Sequence, residues 1–327
     1  MSPSKVCVVT GATGFIGSHL VEALVSRGWR VRCPVRNPDR ARWLASLPVE
    51  LVRADLTRPE SLDGVFAGAE VVFHVAGLTR ALHPQEFFQI NVTGTANLLS
   101  ALGRAGRSCR KLIFLSSLAA AGPSRPGTAR TEAEPPNPVS VYGKSKRLAE
   151  EQVIRNSPVE WVILRPPIVY GPRDGEGLLY FRVVKLGVRP VLCTERRFSL
   201  IYVGDLVRGI VSAAESPRAA GIYHIADPTP YSFRTLATAI GEVMGRPGPT
   251  LPAPGWAFRL AGAAADLVAQ VRHRPMVFSY DKAVEITAGD WVCDCGRIEA
   301  ELGFKTEVSL HQGLKLTYDW YRSVGWF

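Results

Sequence analysis

A chain of 327 residues, 46% hydrophobic and 21% charged, has the balance of an ordinary globular protein and is long enough to bury one large core or two smaller ones, which excludes a disordered chain. Its net charge of +10, from 39 basic and 29 acidic side chains, favours anionic partners. The arginines are dispersed and form no basic stripe interleaved with aromatics, so nucleic-acid binding is not expected, and the excess reads as solubility and attraction of a phosphorylated cofactor.

Residues 1–5 run straight into the apolar segment Val6 to Val9, leaving no room for a signal peptide, and this predicts a cytoplasmic protein. Apolar strand-like runs then alternate with helix-like ones: Val6 to Thr10 and Ile16 to Arg27; Arg30 to Val35 and Arg40 to Ser46; Val49 to Arg53; Val71 to Val75; Leu112 to Leu115; Trp161 to Leu164. Short continuous apolar strands joined by crossover helices predict an α/β fold, a doubly wound parallel sheet of the Rossmann type, over residues 1–165. Residues 166–327, broken by loops rich in Pro and Gly such as Gly245-Arg246-Pro247-Gly248-Pro249, predict a smaller substrate lobe. Leu200 to Val203 and Gly221 to Ile225 are expected to return to the sheet, so the two parts are interwoven.

The first strand leads into Thr10-Gly11-Ala12-Thr13-Gly14-Phe15-Ile16-Gly17. In that setting Gly11 permits a tight turn, Gly14 a close approach to a pyrophosphate and Gly17 tight helix packing, and the following helix aims its amides at the phosphates. The second strand ends at Val35-Arg36, where a fold selective for NAD usually offers a carboxylate. Arg36 can clamp a 2′-phosphate instead, which favours NADP(H) over NAD(H); stacking of its guanidinium on adenine is the other reading. Asp55-Leu56, after the third strand, are placed to meet the adenine edge.

His74 and His224 lie in strand-like runs and read as hydrogen-bonded core residues. Asn91 precedes a helix and reads as its cap, and Ser116-Ser117 at a strand end would read as a cap by itself. Tyr142 and Lys146 are four apart, which puts them on one helix face; the ammonium is then expected to lower the phenol from its ordinary pKa of about 10. Further along, Trp256, Phe258, Leu260, Ala261, Leu267 and Val268 make an apolar helix within 255–271, followed by Arg272-His273-Arg274. Interrupted by Arg259 and Asp266, it is too short to span a bilayer and reads first as a buried helix of the substrate lobe, with contact at the periphery of a membrane's inner face as the alternative. The six cysteines read as reduced; Cys293-Asp294-Cys295, the one close pair, lacks the spacing of a zinc site, so no metal is expected.

With the glycine turn, Asp55-Leu56, Phe73-His74-Val75-Ala76-Gly77, Asn91-Val92-Thr93-Gly94-Thr95, Leu115-Ser116-Ser117, Tyr142 to Lys146 and Arg165-Pro166-Pro167-Ile168-Val169-Tyr170-Gly171-Pro172, the chain resembles the extended short-chain dehydrogenases/reductases over nearly its whole length. The resemblance implies that Tyr142 is the general acid/base, that Lys146 holds the nicotinamide ribose and tunes Tyr142, and that Ser117 binds the substrate oxygen, with Ser116 as a spare. It further implies cofactor contacts from Gly11, Thr13, Gly14, Phe15, Ile16, Gly17, Arg36, Asp55, Leu56, Ala76, Gly77, Pro166 and Ile168. Nucleotide-sugar enzymes of this family usually carry an Arg just before the strand that here reads Phe198-Ser199-Leu200-Ile201-Tyr202; Phe198 occupies that place, though Arg196 or Arg197 could substitute. The chain is more similar to the hydroxysteroid dehydrogenase and dihydroflavonol reductase branch. The resulting expectation is an NAD(P)-dependent oxidoreductase interconverting a secondary alcohol and a ketone on a bulky apolar, sterol- or flavonoid-like substrate. The alternatives are a nucleotide-sugar epimerase or dehydratase with tightly held NAD, and a non-catalytic dinucleotide sensor. Family members often pair through the helix bearing the tyrosine, so a homodimer is an expectation by analogy.

Overall fold

A computed structural model describes residues 5–106, 108–246 and 248–327. The segment 1–4, on which the reading of the N-terminus largely rests, and Pro247 lie outside the described residues.

Seven parallel strands form the central sheet: β1 (Val6–Thr10), β2 (Arg30–Val35), β3 (Glu50–Arg53), β4 (Val71–His74), β5 (Lys111–Leu115), β6 (Glu160–Arg165) and β7 (Gly221–His224), in the order β7-β6-β5-β4-β1-β2-β3. Successive side chains leave a strand on opposite faces, so Cys7 and Val9 of β1 enter one apolar core while Val8 enters the other. Helices α1 (Phe15–Ser26) and, much later, Val203–Glu215 cover the first face through Leu20, Val21, Leu24, Leu206 and Ile210. Helices α2 (Gly94–Arg104) and α3 (Val141–Asn156) cover the second through Leu98, Leu102, Ala149 and Val153. The chain winds outward one way through β2 and β3 and the other way through β5, β6 and β7. The carboxyl ends of β1 and β4 therefore flank the point where the winding reverses, the place where an open α/β sheet leaves a crevice.

Three expectations are corrected. Arg40 to Ser46 is not a helix: a single 3₁₀ turn, Pro38–Arg40, is followed by i→i+3 turns pinned by buried Ala41 and Leu44. Asn37 takes the Asp39 amide and Pro38 fixes the turn, so the segment closes too soon to propagate a helix. Leu200–Tyr202 does not join the sheet but pairs in parallel with Ile168–Tyr170 in a separate ribbon, whereas Gly221–His224 does join, against β6. The third correction concerns α4 (Gly255–Arg272), which lies on the surface with Trp256, Leu260, Ala261, Leu267 and Val268 exposed and Phe258 partly buried. It packs on α5 (Tyr280–Ala288) through small residues: a Cβ added to Gly262 would stand 2.7 Å from the Ser279 carbonyl oxygen, and Ala269 is buried. Close approach along that seam turns the large residues outward.

The remaining C-terminal part has its own core of Leu178, Phe181, Phe198, Leu200, Ile240 and Tyr321, among others.

Candidate active site

The turn between β1 and α1 is held shut by its glycines. Gly11 has φ +72°, and a Cβ there would lie 2.7 Å from the Ala76 amide nitrogen, so the turn rests directly on the loop leaving β4. Gly17 sits against the Gly11 carbonyl with no room for a methyl group, and the Gly14 amide donates to the Gly11 oxygen at 2.9 Å. No side chain caps α1, so its first-turn amides, beside exposed Thr13 and Gly14 and partly buried Phe15 and Ile16, are free to take anionic oxygens. A cradle that any Cβ would fill, ending in an uncapped helix at the sheet's switch point, fits a dinucleotide pyrophosphate. Arg36 is exposed at the end of β2. Burial nudges the neighbouring Asp55 carboxyl upward, but bonds from the Thr57 amide (2.9 Å) and hydroxyl (2.8 Å), with Arg36 and Arg58 nearby, outweigh it and hold it below its ordinary value. Leu56 packs against Gly94, and its carbonyl accepts from Asn97 at 2.8 Å. Because a Gly11→Ala methyl would collide with the Ala76 backbone, that variant is expected to weaken dinucleotide binding at least about tenfold, by nucleotide fluorescence titration, with a loss of stability of about 1–3 kcal/mol.

Beyond β5 the chain makes Ser116-Ser117 and the short helix Leu118–Ala121. The Ser117 oxygen accepts from the Ala119 amide at 3.1 Å, as a cap would, and its hydroxyl stands near enough to the Tyr142 phenol to favour the phenolate. Ser116 points the other way, buried, donating to Glu150 at 2.6 Å; Glu150 in turn receives Arg165 at 2.8 and 2.6 Å. The spare serine is thus occupied by a core ion pair.

Tyr142 and Lys146 share a face of α3, but the phenol is raised rather than lowered. Burial pushes the Tyr142 phenol up to about 12, the nearby Ser117 hydroxyl pulls the other way, and Glu285 raises it further. The Lys146 ammonium donates to the Leu115 carbonyl at 2.8 Å and lies 4.4 Å from the centre of the Phe114 ring. It spends its charge on the end of β5, and desolvation outweighs the attraction of Glu150, bringing it down to about 8. A Cβ on Gly77 would be 3.6 Å from Lys146 Nζ, so the ammonium borders the Ala76-Gly77 loop at the cofactor crevice. Pro166 lies at the same sheet edge, its carbonyl accepting from the Leu118 amide at 2.8 Å, and Ile168 is exposed just beyond.

Asn91 is no cap. It sits in a π-helical turn, Phe88–Thr93, that runs without a break into α2. The extra residue in that turn re-aims the side chain, which binds both the amide (2.7 Å) and carbonyl (3.1 Å) of Leu78 and the Ser145 hydroxyl (2.9 Å) on α3. His74 is buried between Thr10 (2.8 Å) and Thr95 (2.9 Å), and its pKa falls to about 3 through burial and the Lys146 charge. His224 is buried in β7 with Nδ1 on the Arg130 carbonyl at 3.1 Å. Among the described residues, no cluster of three or more His, Cys, Asp or Glu side chains is placed to hold a metal ion.

Residues that sequence reasoning missed close the site from α5. Asp281 accepts the amides of Val141 (2.7 Å) and Tyr142 (3.1 Å), capping α3 from 139 and 140 positions away. Ser140 accepts the Gly143 amide at 2.9 Å and donates to Glu285 at 2.5 Å, while Lys282 pairs with Glu285 at 3.0 Å. No local pattern signals these contacts. On the substrate side Phe198 is buried against Phe233, ring centres 4.6 Å apart, and Arg197 is exposed.

The sequence model of the NAD-dependent epimerase/dehydratase family matches residues 7–226. The chain is 35% identical over 324 residues to the ceramide reductase of Caulobacter vibrioides, covering 98% of this chain and 96% of that one. It is 29% identical to the 4-hydroxy-2-methyl-3-oxo-4-farnesyl-3,4-dihydroquinoline-1-oxide ketoreductase of Stigmatella aurantiaca, covering 94% and 93%. Among solved structures, the UDP-glucose 4-epimerase of Thermus thermophilus in complex with NAD is similar with TM-score 0.76 and 26% identity, covering 97% and 99%.

Proposed function

The chain belongs to the NAD-dependent epimerase/dehydratase family, and from that premise we propose that it is a nicotinamide-dependent ketoreductase acting on a bulky, largely apolar carbonyl compound of lipid type. The observation that supports this reading is the Ser117 hydroxyl standing near the Tyr142 phenol, with Lys146 on the same helix face, at the sheet edge that also carries the phosphate turn. The apolar preference rests on buried Phe198, standing where a sugar-diphosphate clamp would need a cation, and on the likeness to two reductases named for lipidic or prenylated compounds.

Gly11, Thr13, Gly14, Phe15, Ile16 and Gly17 would hold the pyrophosphate, Asp55 and Leu56 the adenine end, and Ala76, Gly77, Pro166, Ile168, Tyr142 and Lys146 the nicotinamide end. Bound there, the reduced nicotinamide supplies hydride to the carbonyl carbon. Tyr142, protonated across the neutral range, gives its proton to the carbonyl oxygen as that oxygen takes up the C=O electron pair and becomes a hydroxyl. Ser117 donates to the same oxygen while charge grows on it, and the Lys282 charge, which pulls the phenol pKa down, favours the phenolate left behind.

The test is nicotinamide absorbance with NADPH and NADH against long-chain keto lipids, sterol ketones and nucleotide sugars. Stoichiometric cofactor oxidation with an apolar ketone supports the reading, whereas turnover of nucleotide sugars alone, with no net cofactor oxidation, replaces it with an epimerase. Arg36 favours NADP(H) by offering a guanidinium to the 2′-phosphate. Arg36→Ala is then expected to raise KM for NADPH roughly ten- to a hundredfold with little change for NADH, the loss of one charge-assisted contact. Equal changes for both cofactors would assign Arg36 to adenine stacking and leave NAD(H) as the partner.

A further inference from the structure

We propose that α4 is a docking helix for an anionic phospholipid bilayer. Trp256, Leu260, Leu267 and Val271 are spaced 4, 7 and 4 apart, which places them on one stripe, and they are 68%, 64%, 68% and 82% exposed. Leu251, on the strand leading into the helix, is exposed as well. Aromatic and aliphatic side chains this large are rarely left facing water in a row.

The charges around the stripe choose the occupant. At helical spacing Arg259 and Arg272 fall on opposite flanks of the stripe, and exposed His273 and Arg274 follow at its end. The helix's one carboxylate, Asp266, is partly buried and engaged, accepting the Tyr280 amide at the start of α5 at 3.0 Å. An apolar strip bordered by cations and free of exposed acid matches a surface of acyl chains under anionic headgroups. A second copy of the chain would bring its own arginines against these. No helix among the described residues is long and apolar enough to cross a membrane, so the contact is interfacial.

The helix also stands one layer from the chemistry. Its opposite face packs on α5 through Gly262, and α5 supplies Asp281, which caps α3 at Tyr142, and Lys282 and Glu285 beside the phenol. A docked α4 would set the lobe side of the catalytic crevice at the bilayer surface, where an apolar substrate is dissolved.

The experiment needs neither cofactor nor substrate, so its outcome is independent of the reductase reading. The full chain is sedimented with vesicles of phosphatidylcholine alone and of phosphatidylcholine mixed with phosphatidylglycerol, at low and high salt. Binding to the mixed vesicles, weakened by salt and reduced at least about tenfold in Leu260→Glu/Leu267→Glu, is expected. Both leucines are exposed, so the variant should fold, and an unchanged thermal melt checks that it does. Failure of the wild-type chain to bind mixed vesicles at low salt overturns the proposal, as does full binding by the double variant. A wild-type dimer in light scattering that the double variant splits assigns the stripe to a second copy of the chain and overturns it too.

Discussion

Tyr142→Phe is expected to lower kcat for ketone reduction by roughly 10²–10⁴-fold, the usual worth of a positioned general acid. Dissociation constants for the cofactor and the thermal melt should hardly move. The substitution removes one hydroxyl, while the ring keeps its place 6.0 Å from Phe87 and the backbone amide keeps its bond to Asp281. The pH dependence follows from the two displaced pKa values. With the phenol pushed up to about 12, the acid needed for reduction is present throughout the neutral range, and the alcohol-oxidising direction, which needs the phenolate, gains as pH rises. Lys146, pushed down to about 8, loses its charge as pH rises through that value in the free enzyme. The kcat/KM for cofactor should therefore fall on the alkaline side, and Lys146→Met should abolish that limb. A Tyr142→Phe enzyme keeping more than a tenth of wild-type turnover would remove the phenol from the chemistry.

Glu150→Ala should destabilise the protein by about 3–5 kcal/mol in denaturant titration, because it strands the Arg165 guanidinium in the core. Glu150 and Arg165 are 0% and 1% exposed and doubly bonded, and Ser116 fills a further acceptor site of the carboxylate. Replacing both partners with apolar residues, Glu150→Leu/Arg165→Met, should recover much of the loss, since no unpaired charge is then left buried. The pair also reaches the active site: Glu150 lies one turn beyond Lys146 and holds its pKa up. A more conservative Glu150→Gln should therefore shift the alkaline limb to lower pH. A destabilisation of Glu150→Ala below about 1 kcal/mol would show that the core tolerates the lone guanidinium by relaxing or hydrating it.

What the sequence by itself determined is what short-range physics decides. Val6 to Thr10 reads as a strand buried on both faces because every residue in it is apolar or small, and the glycine turn reads as a phosphate cradle because only glycine survives contacts as close as Gly11 on Ala76. The parallel sheet and the crevice at its switch point follow from such local patterns, strung in an order that leaves few ways to pack, and helical spacing puts Tyr142 and Lys146 on one face, whereas Ser117 joined them only through the family resemblance. What tertiary structure decided is which partner each polar or apolar group meets. Spacing put Lys146 near Tyr142, but only the fold offers it the Leu115 carbonyl and a burial that raises the phenol instead of lowering it. Asn91 was legible as a polar residue before a helix, whereas the π-helical turn that holds it and its bond to Ser145 on α3 is visible only in the fold. Asp281 carries no local signal, because its partners lie across the chain. In α4 the periodicity marks an apolar side without saying whether anything covers it. The seam of Gly262 and Ala269 against α5 settles that, since small residues permit the closest approach, and it leaves Trp256, Leu260, Leu267 and Val271 facing out.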